Sequence, residues 1–191
     1  MTQPDLLQLL DKIKTDFYSS ESKNTFFKNA QKLKCAEKLA TTVNLIDLLQ
    51  NTVYIIPNTH NIYIDYPVFK LFATNANSEE IINYIISMLS NCIYKYGQYE
   101  MHINLKGFSI SAAQRYKNSI QLFCDKCYNI TSHSDMKFSK LLVKMYIYNT
   151  PSIISNITSM FSAFIDPAIP QKLRFYSKDE SQQLLDNLFS K

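Results

Sequence analysis

The cysteine pair Cys124 and Cys127, in the stretch CDKC, is the part of this sequence whose spacing most suggests chemistry. Two thiols so spaced could supply half of a zinc site or a redox-active disulfide. A zinc site would need two further ligands, and the remaining cysteines, Cys35 and Cys92, stand alone. A thioredoxin-type motif opens a helix, whereas this one closes a predicted helix. The pair is therefore interpreted as structural, with Cys127 in the core one turn from Cys124.

Nucleophilic and phosphate-binding chemistry also lack the residues that they need. The three histidines, His60, His102 and His133, lie far apart, and no G-x-S-x-G elbow occurs. The chain has two glycines, Gly97 and Gly107, which leave no room for a glycine-rich phosphate loop. A catalytic triad could still assemble in the folded protein, so a hydrolase stays open. It is the weakest of the functional alternatives, because no nucleophile site is recognisable. The alternation of the predicted strand is compatible with a buried His102, and all three histidines are interpreted as surface or structural residues. We expect no catalytic residue, no metal site and no enzymatic activity.

The composition limits the class of protein and its partners. Of 191 residues, 46% are hydrophobic and 19% are charged, which suits one compact domain with a small helical appendage. The net charge of +4 is compatible with an anionic membrane surface, but no Lys/Arg run is dense enough for a nucleic-acid arm. Acidic residues interrupt the first twenty positions, and no stretch approaches roughly 20 apolar residues. We therefore expect a cytoplasmic protein, peripherally associated with membranes, that binds no nucleic acid.

Periodicity divides the chain into a helical segment over residues 1–51, packed on an α/β domain over residues 52–191. The stretch TQPDLLQLLDKIKTDFYSS predicts an amphipathic helix, and one or two more helices follow it. TVYIIP and NIYIDYPVF then predict the two strands of a hairpin, joined by the turn residues PNTHN. Helices and strands alternate from there to the end, which predicts a mixed, mostly parallel sheet flanked by helices.

Several elements of this alternating region have recognisable ends. Ser78 and Gly97 are expected to cap the first long helix, and Ser177 to cap the last one. YEMHINLKG and VKMYIYN predict strands on either side of the helix SISAAQRYKNSIQLFCDKCY, and KLRFY predicts a short final strand. The buried stripe of the first long helix is predicted as Ile82, Ile85, Leu89, Cys92 and Ile93.

An apolar and almost uncharged segment lies between Pro151 and Pro167. Its large side chains exceed one helical stripe, so we expect a helix that is apolar over most of its circumference. These side chains are Ile153, Ile154, Ile157, Met160, Phe161, Phe164 and Ile165. Burial in the core and a movable cover over an apolar sheet face explain this helix almost equally well. The predicted sheet face comprises Met101, Ile103, Leu105, Leu142, Met145 and Ile147.

Two local motifs resemble those of the CRAL-TRIO lipid-binding domain. INLKGFSIS resembles the strand and D-L-K-G turn of that family, with Asn104 in place of the aspartate. The family's second signature is a strand ending in N-x-P, a mobile apolar gate helix, a D-P pair and a basic residue that opens the next strand. The matching residues here, at the same spacing, are Asn149, Pro151, Asp166, Pro167 and Lys172.

The resemblance implies a carrier protein. The family includes phosphatidylinositol/phosphatidylcholine transfer proteins, tocopherol transfer protein and the cellular retinaldehyde-binding protein. It implies that the apolar sheet face forms a lipid pocket and that the segment after Pro151 is its gate. Hinges are implied at Pro151, Asp166 and Pro167. A headgroup is implied to contact Lys172, with Arg174 or Lys140 as a second contact. The ligand would be one amphiphile exchanged with membranes, with no cofactor besides the bound lipid.

Three departures from the family pattern bear on the ligand. Lys140 stands where phosphoinositide-transferring members have a glutamate, and Ile169 stands where they have a threonine. The usual L-P-x-x-x-G-G tail is not found. We therefore expect a phospholipid, with a phosphoinositide as one candidate among several. The alternative is a protein-interaction scaffold of the same fold, for example one that binds a small GTPase, with a vestigial pocket.

Overall fold

The structure is a computed structural model that describes residues 3–20, 28–131 and 137–190. Its helices are α1 Gln3–Ser20, α2 Lys28–Thr42, α3 Leu45–Gln50, α4 Tyr66–Phe72, α5 Ser78–Tyr96, α6 Ile110–Thr131, α7 Phe138–Leu141, α8 Ile154–Phe161 and α9 Lys178–Phe189. Its strands are β1 Val53–Ile55, β2 Asn61–Asp65, β3 Tyr99–Asn104, β4 Leu142–Tyr148 and β5 Leu173–Phe175. A single 3₁₀ turn, Pro170–Lys172, precedes β5.

The described strands form one mixed sheet in the order β1-β2-β3-β4-β5. β1 and β2 are antiparallel and make the predicted hairpin, while the remaining neighbours are parallel. Helices cross over between the parallel strands, as this connection requires. Met101 pairs with Met145 and Ile103 pairs with Ile147, so alternate residues of β3 and β4 form continuous rows on each face. The predicted mixed, mostly parallel α/β fold is confirmed.

The stretch NIYIDYPVF is the clearest error in the predicted elements. The strand ends at Asp65, and Tyr66 begins a short helix, α4, with Pro67 in its first turn. Proline fits that turn because its fixed φ is helical and its missing N–H needs no partner there. The β-branched and aromatic residues that favoured a strand instead pack the inner side of α4.

The predicted caps are confirmed at two ends of three. Gly97 ends α5 in the left-handed conformation, at φ 75°. Ser177 caps α9 in a full capping box with Glu180. At the start of α5, however, the cap residue is Asn77, and Ser78 is already helical. The Asn77 side chain makes no capping bond, because it accepts from the Thr74 N–H and donates to the Phe72 carbonyl.

The N-terminal helices share a core with α4. Leu6 and Leu10 of α1, Leu39 of α2 and Leu48 of α3 are buried in one cluster with Phe72. This cluster holds α1, α2 and α3 against the sheet domain through α4. The position of a domain boundary near residue 51 stays a prediction.

The face of the sheet that packs against α9 is rich in aromatic rings. His102, Tyr146 and Tyr148 stack there, with His102 and Tyr146 ring centroids 4.7 Å apart. The His102 Nδ1 atom and the Tyr148 hydroxyl are 2.9 Å apart. Burial, aided by His60, lowers the pKa of His102 to about 4, so its ring is neutral at pH 7. The expectation of a buried, structural His102 is confirmed, whereas His133 lies outside the described residues.

Candidate functional site

An apolar cavity of about 1010 Å³ lies between the opposite face of the sheet and helices α5, α6 and α8. All six residues predicted for the pocket face line it: Met101, Ile103, Leu105, Leu142, Met145 and Ile147. Met101, Ile103, Met145 and Ile147 meet because the parallel register of β3 and β4 aligns their alternate side chains. Leu142 shares their face because the register shifts by one residue between Leu142 and Met145. The sheet therefore supplies a flat apolar floor, and the helices supply the walls.

Helices α5 and α6 form the walls, and α5 does so with residues of its predicted buried stripe. Ile82 and Ile85 of α5 face the cavity, as do Ile120 and Phe123 of α6. These side chains contact the cavity on one side and the core clusters on the other. A helical stripe identifies a buried face, but it does not distinguish a face that meets protein from one that meets a cavity.

The predicted gate is the short helix α8 followed by a turn. Five of its seven predicted residues line the cavity: Ile154, Ile157, Phe161, Phe164 and Ile165. The other two, Ile153 and Met160, pack in the same cluster against Ala113 of α6. The expectation that the helix is apolar nearly all round is wrong, because its outer face is uncharged but polar. That outer face carries the exposed residues Ser152, Ser155, Asn156, Ser159 and Ser162.

The N-terminal end of the gate joins the two motifs that the sequence had marked separately. Asn149 has a left-handed backbone, at φ 53°, and its Nδ2 donates to Asn104 Oδ1 at 2.9 Å. The same Oδ1 accepts from the Lys106 N–H at 3.1 Å. Asn104 is thus the hub of this corner, and Asn149 turns the chain from β4 toward Pro151. An amide serves at Asn104 because its Nδ2 also donates to Asp65 Oδ1 at 3.2 Å, which an ionised aspartate could not do.

The C-terminal end of the gate is held by one side-chain contact across the rim of the cavity. Ser139 of α7 donates its hydroxyl to Asp166 Oδ2 at 2.6 Å, and the Ala168 N–H donates to Asp166 Oδ1 at 2.8 Å. These hydrogen bonds lower the pKa of Asp166, with a smaller contribution from Lys137, so the carboxylate stays ionised. Asp166 and Pro167 both line the cavity, and their role as a hinge stays a prediction.

The Lys172 ammonium, for which the resemblance implied a headgroup contact, is bonded to backbone carbonyls in the structure. It donates to the Ser139 carbonyl at 2.8 Å, the Lys140 carbonyl at 3.3 Å and the Leu142 carbonyl. Three carbonyl acceptors use the three N–H donors of a lysine. Lys172 therefore ties the turn before β5 to the start of β4, and it does not line the cavity.

The other two predicted headgroup residues do not reach the cavity either. Arg174 pairs with Tyr146 and so lies on the aromatic face of the sheet, away from the cavity floor. Its guanidinium donates to the Leu173 carbonyl at 2.9 Å. Lys140 is exposed on α7 and is not part of the cavity wall. The structure thus separates all three basic residues from the pocket.

The opening of the cavity is formed by residues that both line it and are exposed. We call this set the mouth: Gln121, Asp125, Tyr128, Lys137, Ala163 and Pro167. The Lys137 ammonium lies 6.0 Å from the centroid of the Tyr128 ring. Of the mouth, the sequence analysis named only Pro167, as a hinge, although Gln121, Asp125 and Tyr128 recur at helical spacing on one side of α6. Their polarity made them indistinguishable from an ordinary solvated helix face.

Cys124 and Cys127 both line the cavity and are half-buried. Burial raises the pKa of the Cys124 thiol to about 11 and that of the Cys127 thiol to about 12. Both are therefore protonated at pH 7 and poor nucleophiles. In the described part of the chain no group of three metal-ligating side chains comes together. The pair acts as small apolar wall residues.

Comparisons with known proteins agree with this geometry. The profile of the CRAL/TRIO domain matches residues 49–190. Among solved structures, the crystal structure of Sfh5 matches with a TM-score of 0.51 and 16% sequence identity, over 79% of this chain and 56% of that one. The chain thus spans little more than half of that protein, and at this identity the likeness shows the fold. A search of curated proteins found no match. None of the described helices is both long and apolar enough to cross a membrane.

Proposed function

This chain belongs to the CRAL/TRIO domain family, whose members bind lipids, and we propose that it carries one lipid-like molecule and exchanges it with membranes. The observation that carries this proposal is the cavity of about 1010 Å³. Native cores are close-packed and leave few voids larger than a water molecule, so a space of this size is not a packing defect. It lies at the upper end of the roughly 300–1,000 Å³ found for small-molecule sites.

The nature of the wall supports an apolar ligand. The floor is made of methionine, isoleucine and leucine side chains, and α8 covers it with isoleucine and phenylalanine. Such a surface gains about 25 cal/mol for each Å² of apolar ligand area that it removes from water. An acyl chain or a ring system would therefore be held by burial, while its polar end lies at the mouth. Binding and release of this kind make and break no covalent bond.

Exchange requires the gate to move, and the contacts of α8 favour it as the moving part. The helix is eight residues long, its segment carries no charge before Asp166, and it packs mainly through the apolar cluster with α6. Opening would expose several of these side chains, at about 1.5–3 kcal/mol for each one fully exposed in water. Contact with a bilayer would remove that cost, so we propose that the gate opens at a membrane surface.

Transfer between vesicles tests this function directly. Donor vesicles that carry a fluorescent phosphatidylcholine are mixed with unlabelled acceptor vesicles, and the protein should accelerate transfer in proportion to its concentration. A folded protein that neither accelerates transfer nor retains lipid after gel filtration would contradict the proposal. That result would favour the protein-interaction scaffold with an unused pocket.

A further inference from the structure

The charges around the cavity bear on the class of ligand. Among the lining residues that the structure describes, three carry a charge: Asp125, Lys137 and Asp166. The described lining therefore carries one ammonium and two carboxylates, and Lys137 is close enough to Asp166 to help lower the pKa of that carboxyl. Lys137 also lies over the Tyr128 ring, so its positive charge is already partly engaged.

Two other cations, which the resemblance assigned to a headgroup, are not available to a ligand. The Lys172 ammonium is bonded to three carbonyls, and Arg174 lies on the far face of the sheet. Moving Lys172 to a headgroup would leave those carbonyls without their donor, which is costly for buried polar groups. The positive end of a helix could also hold a phosphate. The N-terminus of α5 reaches the wall at Ser78, but its first turn carries Glu79 and Glu80, which oppose an anion.

We infer that the cavity selects an amphiphile whose headgroup has no net negative charge, either neutral or zwitterionic, and disfavours phosphoinositides. This inference rests on the proposed function and narrows its ligand. A neutral or zwitterionic head can hydrogen-bond at the mouth with Gln121, Asp125 and Lys137 without adding an uncompensated anion. An anionic head placed there would meet two carboxylates with one shared lysine to balance them, and its desolvation would not be compensated.

The experiment measures which lipid the protein takes from a mixture. The full chain is incubated with vesicles of phosphatidylcholine, phosphatidylinositol and diacylglycerol in equal amounts. The protein is then separated from the vesicles, and its bound lipid is quantified by mass spectrometry. We expect phosphatidylinositol to be depleted roughly tenfold relative to its share of the vesicles, a ratio that corresponds to 1.4 kcal/mol. Phosphatidylinositol bound at or above its vesicle share would overturn the inference but leave the proposed function intact. A folded chain that takes up none of the three lipids would overturn both.

A charge reversal at the mouth links the selectivity to its residues. Asp125 is exposed at the end of α6, so Asp125→Lys should fold normally while adding a cation at the opening. It should increase the bound share of phosphatidylinositol several-fold. Asp16→Lys makes the same change of charge on the exposed face of α1, far from the cavity wall, and should leave the share unchanged. If both variants changed the bound share of phosphatidylinositol equally, or if neither variant changed it, the mouth would not set the selectivity.

Discussion

The two faces of the central sheet use the same strands but are packed in different ways. On β3 and β4, Met101 and Met145 face the cavity, while their neighbours His102 and Tyr146 face α9. The rings stack with centroids 4.7 Å apart, close to the spacing of adjacent strands, so each fills the space beside the next. The aliphatic side chains of the other face leave about 1010 Å³ between themselves and the helices. The aromatic face of the sheet is therefore part of the packed core, whereas the aliphatic face forms the floor of a cavity.

Filling the cavity is expected to have the largest effect on lipid binding. Ile120→Trp places a large ring at the wall between α6 and the gate, where the cavity has room for it. We expect the variant to fold but to lose most of its bound lipid and its transfer activity. Bound lipid per chain is measured by solvent extraction and mass spectrometry.

A neighbouring substitution controls for the added ring. Leu122→Trp introduces the same side chain two residues along α6, at a partly exposed position outside the cavity wall. It should retain the lipid content of the wild type. If Ile120→Trp also kept its full lipid content, the ligand would have to lie elsewhere, and the difference between the two faces would have no functional meaning.

The second largest expected effect is on the stability of the aromatic face, where the contribution of His102 depends on pH. The pKa of His102 is lowered from 6.5 to about 4 by burial, so the unfolded chain binds a proton more readily than the folded one. His102 therefore contributes its full stability above pH 6.5 and loses it as the pH falls toward 4. The shift corresponds to roughly 3 kcal/mol in the free energy of unfolding.

The contribution of His102 is measured as a difference between two proteins. Burial raises the pKa of Asp65 to about 6, and this group has the opposite effect on stability between pH 4 and 6. Denaturant unfolding of the wild type and of His102→Gln at each pH removes this common term. The free energy of unfolding of the wild type, relative to that of His102→Gln, should decrease by roughly 3 kcal/mol between pH 7 and pH 4. A constant difference across this range would mean that His102 is not held neutral by its packing.

The smallest expected effect is on the rate of lipid transfer, and it comes from a substitution at the rim of the cavity. Ser139→Ala removes the hydroxyl that donates to Asp166, and a hydrogen bond of this kind contributes about 1 kcal/mol. If this bond helps to hold the gate closed, lipid transfer should become about fivefold faster while the bound lipid stays the same. Ser155→Ala, on the exposed face of α8, serves as the control and should leave the rate unchanged. A slower or unchanged rate for Ser139→Ala would show that the Ser139–Asp166 bond does not restrain the gate.

Elements with strong local signals could be predicted from the sequence. Gly97 marks the end of α5 because a left-handed residue is needed there, and the alternation of β3 and β4 identifies the cavity floor. The stretch Asn61–Phe69 could not be assigned correctly, because Pro67 is compatible both with an edge strand and with the first turn of a helix. Packing of Tyr66 and Phe72 against the N-terminal helices decides between them.

The candidate site was predictable mainly where its residues are apolar. The six floor residues and five of the seven gate residues follow from periodicity and the family motifs, because burial leaves a regular pattern. The role of Lys172 could not be read in this way, since a lysine that binds a headgroup and one that binds carbonyls have the same sequence signature. Apart from Pro167, the mouth was missed for a related reason, because Asp125 and Lys137 gain their meaning from the elements that meet there.

The central claim is that the cavity holds one lipid-like molecule, and native mass spectrometry tests it most directly. The protein is purified gently from its expression host, incubated with mixed phospholipid vesicles and measured intact. We predict a single dominant species with the mass of the chain plus one lipid, which is converted to the bare chain by organic solvent. A folded protein that shows only the mass of the bare chain, before and after incubation, would contradict the account.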